Sequence, residues 1–351
     1  MFACKYHKLL CTEYPSWLDD YIALPCLQRL GGVGLLCGTD WTSLYNNRFF
    51  YSRLDHSIGT ALITWNFTHD KKQTLASLFH DVATCAFSHV NDFRKGDAIK
   101  QEVTEDKTSE ILTFDSELAG LLARDGINVC EIRDYHIYPV CDNEIPALSA
   151  DRLEYMFPSN MSLAPLIKGK VWTFDEVEKM YGTIQVLSDS RGISELGFNN
   201  LEMAELYVEG FIDCGLLLQT HENKLPLNML GKIVNMALEQ NVLSEADCMN
   251  LSEKSIIKIL DDYALANLDK NLLASYIKTW RNMTEVLHLQ NDPGEGYYAV
   301  NLKVKKRYID PLVKMPDGSI NRTSCLSHKA EEKIKEFLSF EDTPFGAVAL
   351  L

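Results

Sequence analysis

The chain has 351 residues, with 34 Lys or Arg and 49 Asp or Glu, so its formal net charge is −15. The length indicates about two domains, and a hydrophobic content of 46% excludes an extensively disordered chain. A chain with this much negative charge is not expected to bind extended nucleic acid or anionic membrane surfaces. A small anionic ligand remains compatible with it, provided that local groups supply positive charge.

No stretch approaches the roughly 20 consecutive apolar residues of a transmembrane helix, and the N-terminus lacks the pattern of a signal peptide. Ten cysteines are scattered along the chain without a C-x-x-C pair. This scatter favours reduced, buried thiols over a disulfide framework or a zinc knuckle. We therefore expect a cytoplasmic protein that does not associate with membranes.

Helical signals dominate the chain. Leu75, Leu78, Phe79 and Val82 recur at the spacing of one helix face. A break between helical regions is expected at 157–160, where the sequence reads Phe-Pro-Ser-Asn, with Pro165 and Gly169 beyond it.

Further helices are predicted beyond this break. The pattern Thr-x-x-Glu at 173–176 is typical of a capping box that opens a helix continuing to Ile184, and Ser-x-x-Asp at 244–247 is a weaker start signal. Apolar residues keep the helical spacing through 256–260 and 272–280. The one clear strand signal is the period-2 alternation at 298–304, which follows a turn-rich segment at 291–296.

The expected fold class is accordingly all-α, with a small strand-containing tail. We divide the chain into a helical core at 1–160, a helical C-terminal region at 161–290, and a tail at 291–351 with a strand pair. The tail carries a basic cluster, which is either a solvated strand face or a patch that faces phosphate or another subunit: Lys303, Lys305, Lys306 and Arg307.

Two histidines and two aspartates are candidate metal ligands: His56, the adjacent pair His80 and Asp81, and Asp151. Imidazole and carboxylate together suit Mn, Fe, Ni, Zn or Mg. Neighbouring side chains on a helix diverge by about 100°, so a His-Asp pair there reaches one ion beside the helix. An isolated histidine is more often a packed or surface residue, so the flanking sequence decides the interpretation.

The flanking sequence resembles the HD-domain superfamily of metal-dependent phosphohydrolases, and most of all its deoxynucleoside-triphosphate triphosphohydrolase branch. The similarity covers about 25–157 and lies in five segments: Leu-Gln-Arg-Leu at 27–30, Arg-Leu-Asp-His-Ser-Ile-Gly at 53–59, His-Asp at 80–81, Phe-Ser-His with a later Asp at 87–92, and Asp-Arg-Leu-Glu-Tyr at 151–155. The resemblance implies an HD-type helical core around one divalent ion. Dimers or higher assemblies are also compatible with it.

By this resemblance, His56, His80, Asp81 and Asp151 are the metal ligands. The resemblance further implies that Arg53 and Arg152 hold phosphate oxygens, because a guanidinium forms paired hydrogen bonds to phosphate. Tyr155 is placed to hydrogen-bond the phosphate as well. The alternative for the two arginines is a structural ion pair with Asp55 or Glu154.

Two positions depart from the family pattern. Thr84 stands where the family has a histidine or glutamate, and Glu105 stands where it has a further histidine. His89 is the best remaining proton donor, because an imidazole titrates near neutral pH. Glu105 is a second candidate acid or else a solvated carboxylate at a helix start, and Asp92 is expected to orient a partner such as His89.

The function expected is metal-dependent hydrolysis of a phosphate ester or anhydride, with a small phosphorylated substrate such as a nucleotide. Because of Thr84, the alternative is a nucleotide-binding sensor with a metal site and little turnover. A structural metal site in an interaction protein is the third interpretation.

Overall fold

A computed structural model describes residues 2–94, 107–267 and 271–351, without the side chains of Asp92 and Phe93. In these ranges the chain is mostly helical. The helices before residue 163 are α1 Phe2–Leu10, α2 Leu18–Ile22, α3 Pro25–Gln28, α4 Arg53–Thr68, α5 Lys71–Phe79, α6 Val90–Arg94, α7 Thr108–Phe114, α8 Ser116–Asp125 and α9 Ala150–Ser162. Those after it are α10 Phe174–Tyr181, α11 Leu201–Gln219, α12 His221–Glu239, α13 Glu245–Asn250, α14 Glu253–Ala266, α15 Leu272–Asn282, α16 Thr323–Leu326 and α17 His328–Ser339.

Two small sheets accompany the helices. The strands are β1 Ile184–Ser188, β2 Ser194–Phe198, β3 Leu287–Leu289, β4 Tyr297–Val300, β5 Leu312–Lys314, β6 Ile320–Arg322 and β7 Phe345–Ala349. The first sheet has the order β1-β2-β5-β6, with β2 and β5 parallel, and the second has the order β3-β7-β4 with antiparallel pairs. The prediction of a mostly helical chain is confirmed, but the strictly all-α class is not.

The strand content exceeds the prediction, partly because some strands pair over long sequence distances, as β2 does with β5 and β3 with β7. β1 and β2 form a hairpin inside the region that we expected to be helical, and Ile184 opens β1 instead of ending the preceding helix. In the tail, β4 ends at Val300, so the alternation at 298–304 marks a strand only in its first part. The division of the chain at 160 and 290 stays a prediction.

The capping boxes were the more reliable local signals. Those opening α10 at Thr173 and α13 at Ser244 are both present. The expected break begins too early, because residues 157–160 lie inside α9 with Pro158 in the helix interior; the helix ends at Ser162, before Pro165 and Gly169. A proline cannot donate to the carbonyl four residues earlier, and the hydroxyl of Tyr6 donates to that oxygen, on Glu154, instead (3.3 Å).

Helix α4 packs against α1, α5 and α9. Most of its middle is buried, from His56 to Thr64. Buried apolar residues form two clusters, one around α4, α5, α9 and α11, and the other around α12, α14 and α15. All ten cysteines are free, and no described helix is long and apolar enough to cross a bilayer.

Candidate metal centre

Two helix starts place two of the predicted ligands. Ser52 caps α4 in a capping box with Asp55, which puts His56 in the first turns of the helix. Ser149 caps α9 by accepting from the backbone N–H of Arg152, so Asp151 lies in the first turn of α9. Because α4 packs against α9, these two starts bring the imidazole and the carboxylate together.

The His80-Asp81 pair does not lie on a helix, so that expectation was wrong. α5 ends at Phe79, and the pair forms the turn that follows. Arg29 holds this turn by donating to the backbone oxygens of Val82 and Thr84. The side chains of His80 and Asp81 are therefore directed at His56 by a turn that Arg29 holds, and not by a helix.

The four predicted ligands converge. Nε2 of His56 lies 3.2 Å from Nε2 of His80 and 3.1 Å from Oδ1 of Asp151, and Nε2 of His80 lies 3.6 Å from that oxygen. Oδ2 of Asp81 lies 3.8 Å from the first imidazole nitrogen and 3.6 Å from the second. Neighbouring ligands on one ion, with bonds of about 2.1 Å, are about 3.0–3.4 Å apart. His56, His80 and Asp81 thus offer three ligand atoms within 4.8 Å of one another, and Asp151 is the fourth candidate, within 3.6 Å of both imidazoles.

The Nδ1 atoms of both imidazoles have hydrogen-bond partners, which leaves the two Nε2 atoms to face the cluster. Nδ1 of His56 lies 2.5 Å from Oε2 of Glu154, and Nδ1 of His80 lies 2.7 Å from the backbone oxygen of Ser77. Such outer hydrogen bonds set the tautomer and orientation of metal-binding histidines. Glu154 was not predicted in this role, although its position three residues after Asp151 places both on one face of α9.

The electrostatics of the cluster favour a cation. Burial lowers the pKa of His56, but the carboxylates of Glu154 and Asp151 outweigh it and raise that pKa to about 10. Burial raises the pKa of Asp81, yet Arg53 and the two imidazoles bring it well below its usual range. The pKa of Asp151 is also well below its usual range, because hydrogen bonds from both histidines outweigh burial. The pocket therefore holds ionised carboxylates, which attract protons or a divalent ion.

The two predicted phosphate-binding arginines are held differently. Nη1 of Arg53 donates to Oδ2 of Asp81 (2.8 Å), and its Nε donates to Oγ of Ser88 (3.1 Å). Its ion pair is thus with a proposed metal ligand and not with Asp55.

Arg152 is turned towards the segment before α9. Its guanidinium donates to the side chain of Asn143 (2.5 Å) and to the backbone oxygen of Ala147 (2.8 Å), and lies 3.0 Å from Oδ1 of Asp142. Its ion pair is therefore not with Glu154, and most of its donors hold protein groups.

A cavity of about 520 Å³ opens at the cluster and is lined by the four predicted ligands, both arginines, Tyr155 and His89. His89 is half-buried and follows Phe87 and Ser88, which both have positive φ. Such left-handed backbone is rare for residues other than glycine, and here two such residues directly precede a side chain that lines the cavity. The side chain of Asp92 and all of Glu105 lie outside the described residues, so their predicted roles stay predictions.

A second group of potential ligands lies elsewhere in the fold, at His221, His288 and Asp342. Nδ1 of His288 lies 2.8 Å from Asp342 and its Nε2 lies 3.0 Å from Glu222. Both nitrogens of this imidazole thus have hydrogen-bond partners, whereas those of His56 and His80 each leave Nε2 to the cluster. Of these two groups, the first is the better metal site.

The sequence matches no family model. YdhJ of Bacillus subtilis, an uncharacterized protein, is 29% identical over 322 residues, which are 90% of this chain and 89% of YdhJ. The metal-dependent phosphohydrolase cns2 of Cordyceps militaris is 27% identical over 143 residues, which cover 40% of this chain and 39% of cns2.

Two solved structures share the fold over nearly the full length. A phosphohydrolase from Bacteroides thetaiotaomicron has a TM-score of 0.59 at 14% identity and covers 95% of each chain. A hypothetical protein from Aquifex aeolicus has a TM-score of 0.61 at 14% identity, with 96% of this chain and 92% of that one covered. At this level of identity the likeness establishes the fold alone.

Proposed function

We propose that the chain is a metal-dependent phosphohydrolase of the HD type that acts on a small phosphorylated substrate, with a nucleotide as the favoured class. The observation that carries the proposal is the convergence of His56, His80, Asp81 and Asp151, with a hydrogen-bond partner at Nδ1 of both imidazoles. The likeness to cns2 and to the Bacteroides phosphohydrolase supports the same activity.

The four ligands would hold one divalent ion beside the cavity. Such an ion, when bound, lowers the pKa of a water ligand and polarises a phosphoryl oxygen. Arg53 lines the cavity and donates to Asp81, and it would hold a phosphate oxygen with a guanidinium hydrogen that these contacts leave over. Glu154 keeps the Nδ1 proton of His56 in place, so that Nε2 stays a ligand.

The proton for the leaving group is assigned to His89. It lines the cavity with the metal ligands, and an imidazole can donate from a ring nitrogen to a leaving oxygen near neutral pH. Thr84 does not supply this proton: its hydroxyl donates to Oδ1 of Asp81 (2.9 Å) and thereby orients a metal ligand.

The structure also offers a reason to keep the sensor as a second candidate. Thr84 occupies the place of the family acid and has no ionisable proton near neutral pH. A site that binds metal and nucleotide but lacks an efficient acid would bind without rapid turnover.

Elemental analysis and phosphate release test the proposal. The purified protein should contain about one divalent ion per chain and release phosphate from some members of a nucleotide panel with Mn, Mg, Ni or Co. Asp81→Asn should abolish both properties, whereas His288→Asn, in the second ligand group, should keep both. Metal-dependent stabilisation by a nucleotide without phosphate release would favour the sensor. Unchanged metal content in Asp81→Asn would contradict the ligand assignment.

A further inference from the structure

A buried carboxyl group from the C-terminal half of the chain contacts the loop that carries His89. Glu253 is the first residue of α14 and is fully buried. Its Oε1 accepts from the backbone N–H groups of Gly34 (3.0 Å) and Phe87 (3.1 Å), and its Oε2 accepts from the indole N–H of Trp41 (2.9 Å). One side chain thus holds three residues that are distant from it in sequence.

The hydrogen bond from Phe87 is the contact that bears on the cavity. Phe87 and Ser88 have φ angles of 64° and 46° and directly precede His89, which lines the cavity. A left-handed backbone costs free energy for residues other than glycine, and it persists where the surrounding contacts hold it. Glu253 supplies such a contact at the first of the two left-handed residues.

The segment before α14 holds the same loop at two more points. The backbone N–H of Ala86 donates to the backbone oxygen of Cys248 (2.9 Å). Nη1 of Arg29, which holds the turn after α5, also donates to the backbone oxygen of Met249 (3.3 Å). Residues 248–253 therefore support this loop from a part of the chain that follows all four predicted metal ligands in sequence.

The same carboxyl group is linked to the start of α4. Gly34, which donates to it, forms an isolated bridge with Ser52, the residue that caps α4. From the other side, Oγ of Ser88 accepts from Nε of Arg53 at the start of that helix (3.1 Å). The carboxyl group therefore joins the loop of His89 to the helix start that carries the phosphate-binding candidate.

The length of the Glu253 side chain matters more here than its charge. Burial, and after it the nearby Asp40, raise the pKa of Glu253 to about 8, so its charge is not fully developed near neutral pH. A carboxyl group accepts hydrogen bonds through its oxygens in either protonation state. The loop thus requires an acceptor oxygen at the position of Oε1.

We infer that Glu253 is a positioning residue for His89, which it holds in place through the backbone N–H of Phe87. This inference rests on the proposed function, in which His89 gives the proton to the leaving group. It makes turnover depend on the first residue of α14, outside the segments that resemble the HD-domain superfamily.

Variants of Glu253 separate length from charge, and all are measured as full-length, metal-loaded proteins. Glu253→Asp keeps the carboxyl group and withdraws it by about 1.5 Å, whereas Glu253→Gln keeps the length and one acceptor oxygen for the two backbone N–H groups. Glu253→Met fills similar space without an acceptor and replaces Glu253→Asp if that variant does not fold. The control is Leu260→Ala, which lowers stability by emptying buried space two turns further along α14.

Glu253→Asp should lower kcat about tenfold or more on a nucleotide that the wild type hydrolyses, because a displaced general acid loses much of its effect. KM should change less than about threefold, and Glu253→Gln and Leu260→Ala should keep kcat within about threefold of the wild type. On p-nitrophenyl phosphate, whose leaving group needs little protonation, the loss in Glu253→Asp should be smaller. A wild-type kcat in Glu253→Asp, an equal loss in Glu253→Gln, or an equal loss on both substrates would overturn the inference.

Failure of the proposed function gives a different result. The wild type would then release no phosphate from any substrate, and crystal structures of Glu253→Asp and Glu253→Gln would still test the placement of His89. Its imidazole should leave the cavity wall in Glu253→Asp and keep its place in Glu253→Gln. The same placement in both variants would refute the inference.

Discussion

Replacing Gly59 by alanine tests the link between the core of α4 and the metal ligand His56. Gly59 faces the carboxylate of Glu154, and a Cβ atom there would lie 2.3 Å from Oε1. Glu154 is fully buried and cannot move aside freely, because its oxygens accept from the hydroxyl of Tyr51 (2.6 Å) and contact Nδ1 of His56 (2.5 Å). The substitution therefore acts on the ligand through its buried partner.

Two opposing contributions decide whether Gly59→Ala raises or lowers the free energy of unfolding. Glycine to alanine inside a helix normally stabilises by about 1 kcal/mol. Displacing Glu154 breaks two buried hydrogen bonds at about 2 kcal/mol each, so the free energy of unfolding should fall by a net of about 3 kcal/mol. Gly120 in α8 is the matched control, since no atom of the described residues outside its own helix backbone lies within 4 Å of its added Cβ, and Gly120→Ala should stabilise by about 1 kcal/mol.

Urea denaturation of the metal-free variants, together with metal titration, measures both effects. Glu154→Gln keeps the shape of the side chain and removes its charge, so it should weaken metal binding roughly 10- to 100-fold in a folded protein. A Gly59→Ala protein as stable as Gly120→Ala, with wild-type metal affinity in both Gly59→Ala and Glu154→Gln, would refute the reasoning.

Three other predictions follow from the same structure. Glu253 accepts from two backbone N–H groups and from the indole of Trp41. Because glutamine has one acceptor oxygen, Glu253→Gln should lower the free energy of unfolding, measured by urea denaturation, by about 2 kcal/mol. An unchanged midpoint of the urea transition would contradict this. Burial lowers the pKa of His288, but Glu222 and Asp342 raise it above its ordinary 6.5. The ion pairs of His288 therefore stabilise the folded protein fully below about pH 6.5, and this stabilisation is lost as pH rises through the pKa of His288 in the folded state. It stays under about 1 kcal/mol because the side chain of His288 is a third exposed. The difference in Tm between the wild type and His288→Asn should accordingly shrink between about pH 6 and pH 9, and a constant difference would count against it. Removing metal with a chelator should lower the Tm, and restoring it at about 100 times Kd should recover about 2.7 kcal/mol; a Tm insensitive to metal would argue against the site.

Local patterns were informative wherever the chemistry is local. A capping box requires only residues three apart, and those at Thr173 and Ser244 are formed. The break predicted at Pro158 failed because a contact from a distant helix, the hydroxyl of Tyr6, satisfies the carbonyl that proline leaves without a donor. A local rule cannot include such a partner.

The residues of the site also divide into those that the sequence predicted and those whose contacts only the fold sets. Residue types and motif order pointed to His56, His80, Asp81 and Asp151, and the structure brings their side chains together. The partners of the arginines were not predictable, because Arg53 meets Asp81 across 28 positions and the wrong carboxylates were nearer in sequence. The roles of Glu154 and of the turn after α5 likewise depend on packing between helices.

The sequence alone determined the net charge of −15, the helical periodicity, the helix starts and the identities of the candidate ligands. These are properties of composition and of residues within a turn of one another. Only the tertiary structure decided which cations enter the cavity, because Lys305 and Arg307 reach it through anchoring to α11 and to the loop before α9. An acidic chain can present a locally basic pocket since electrostatic interactions act over a few ångströms of folded space and not along the chain.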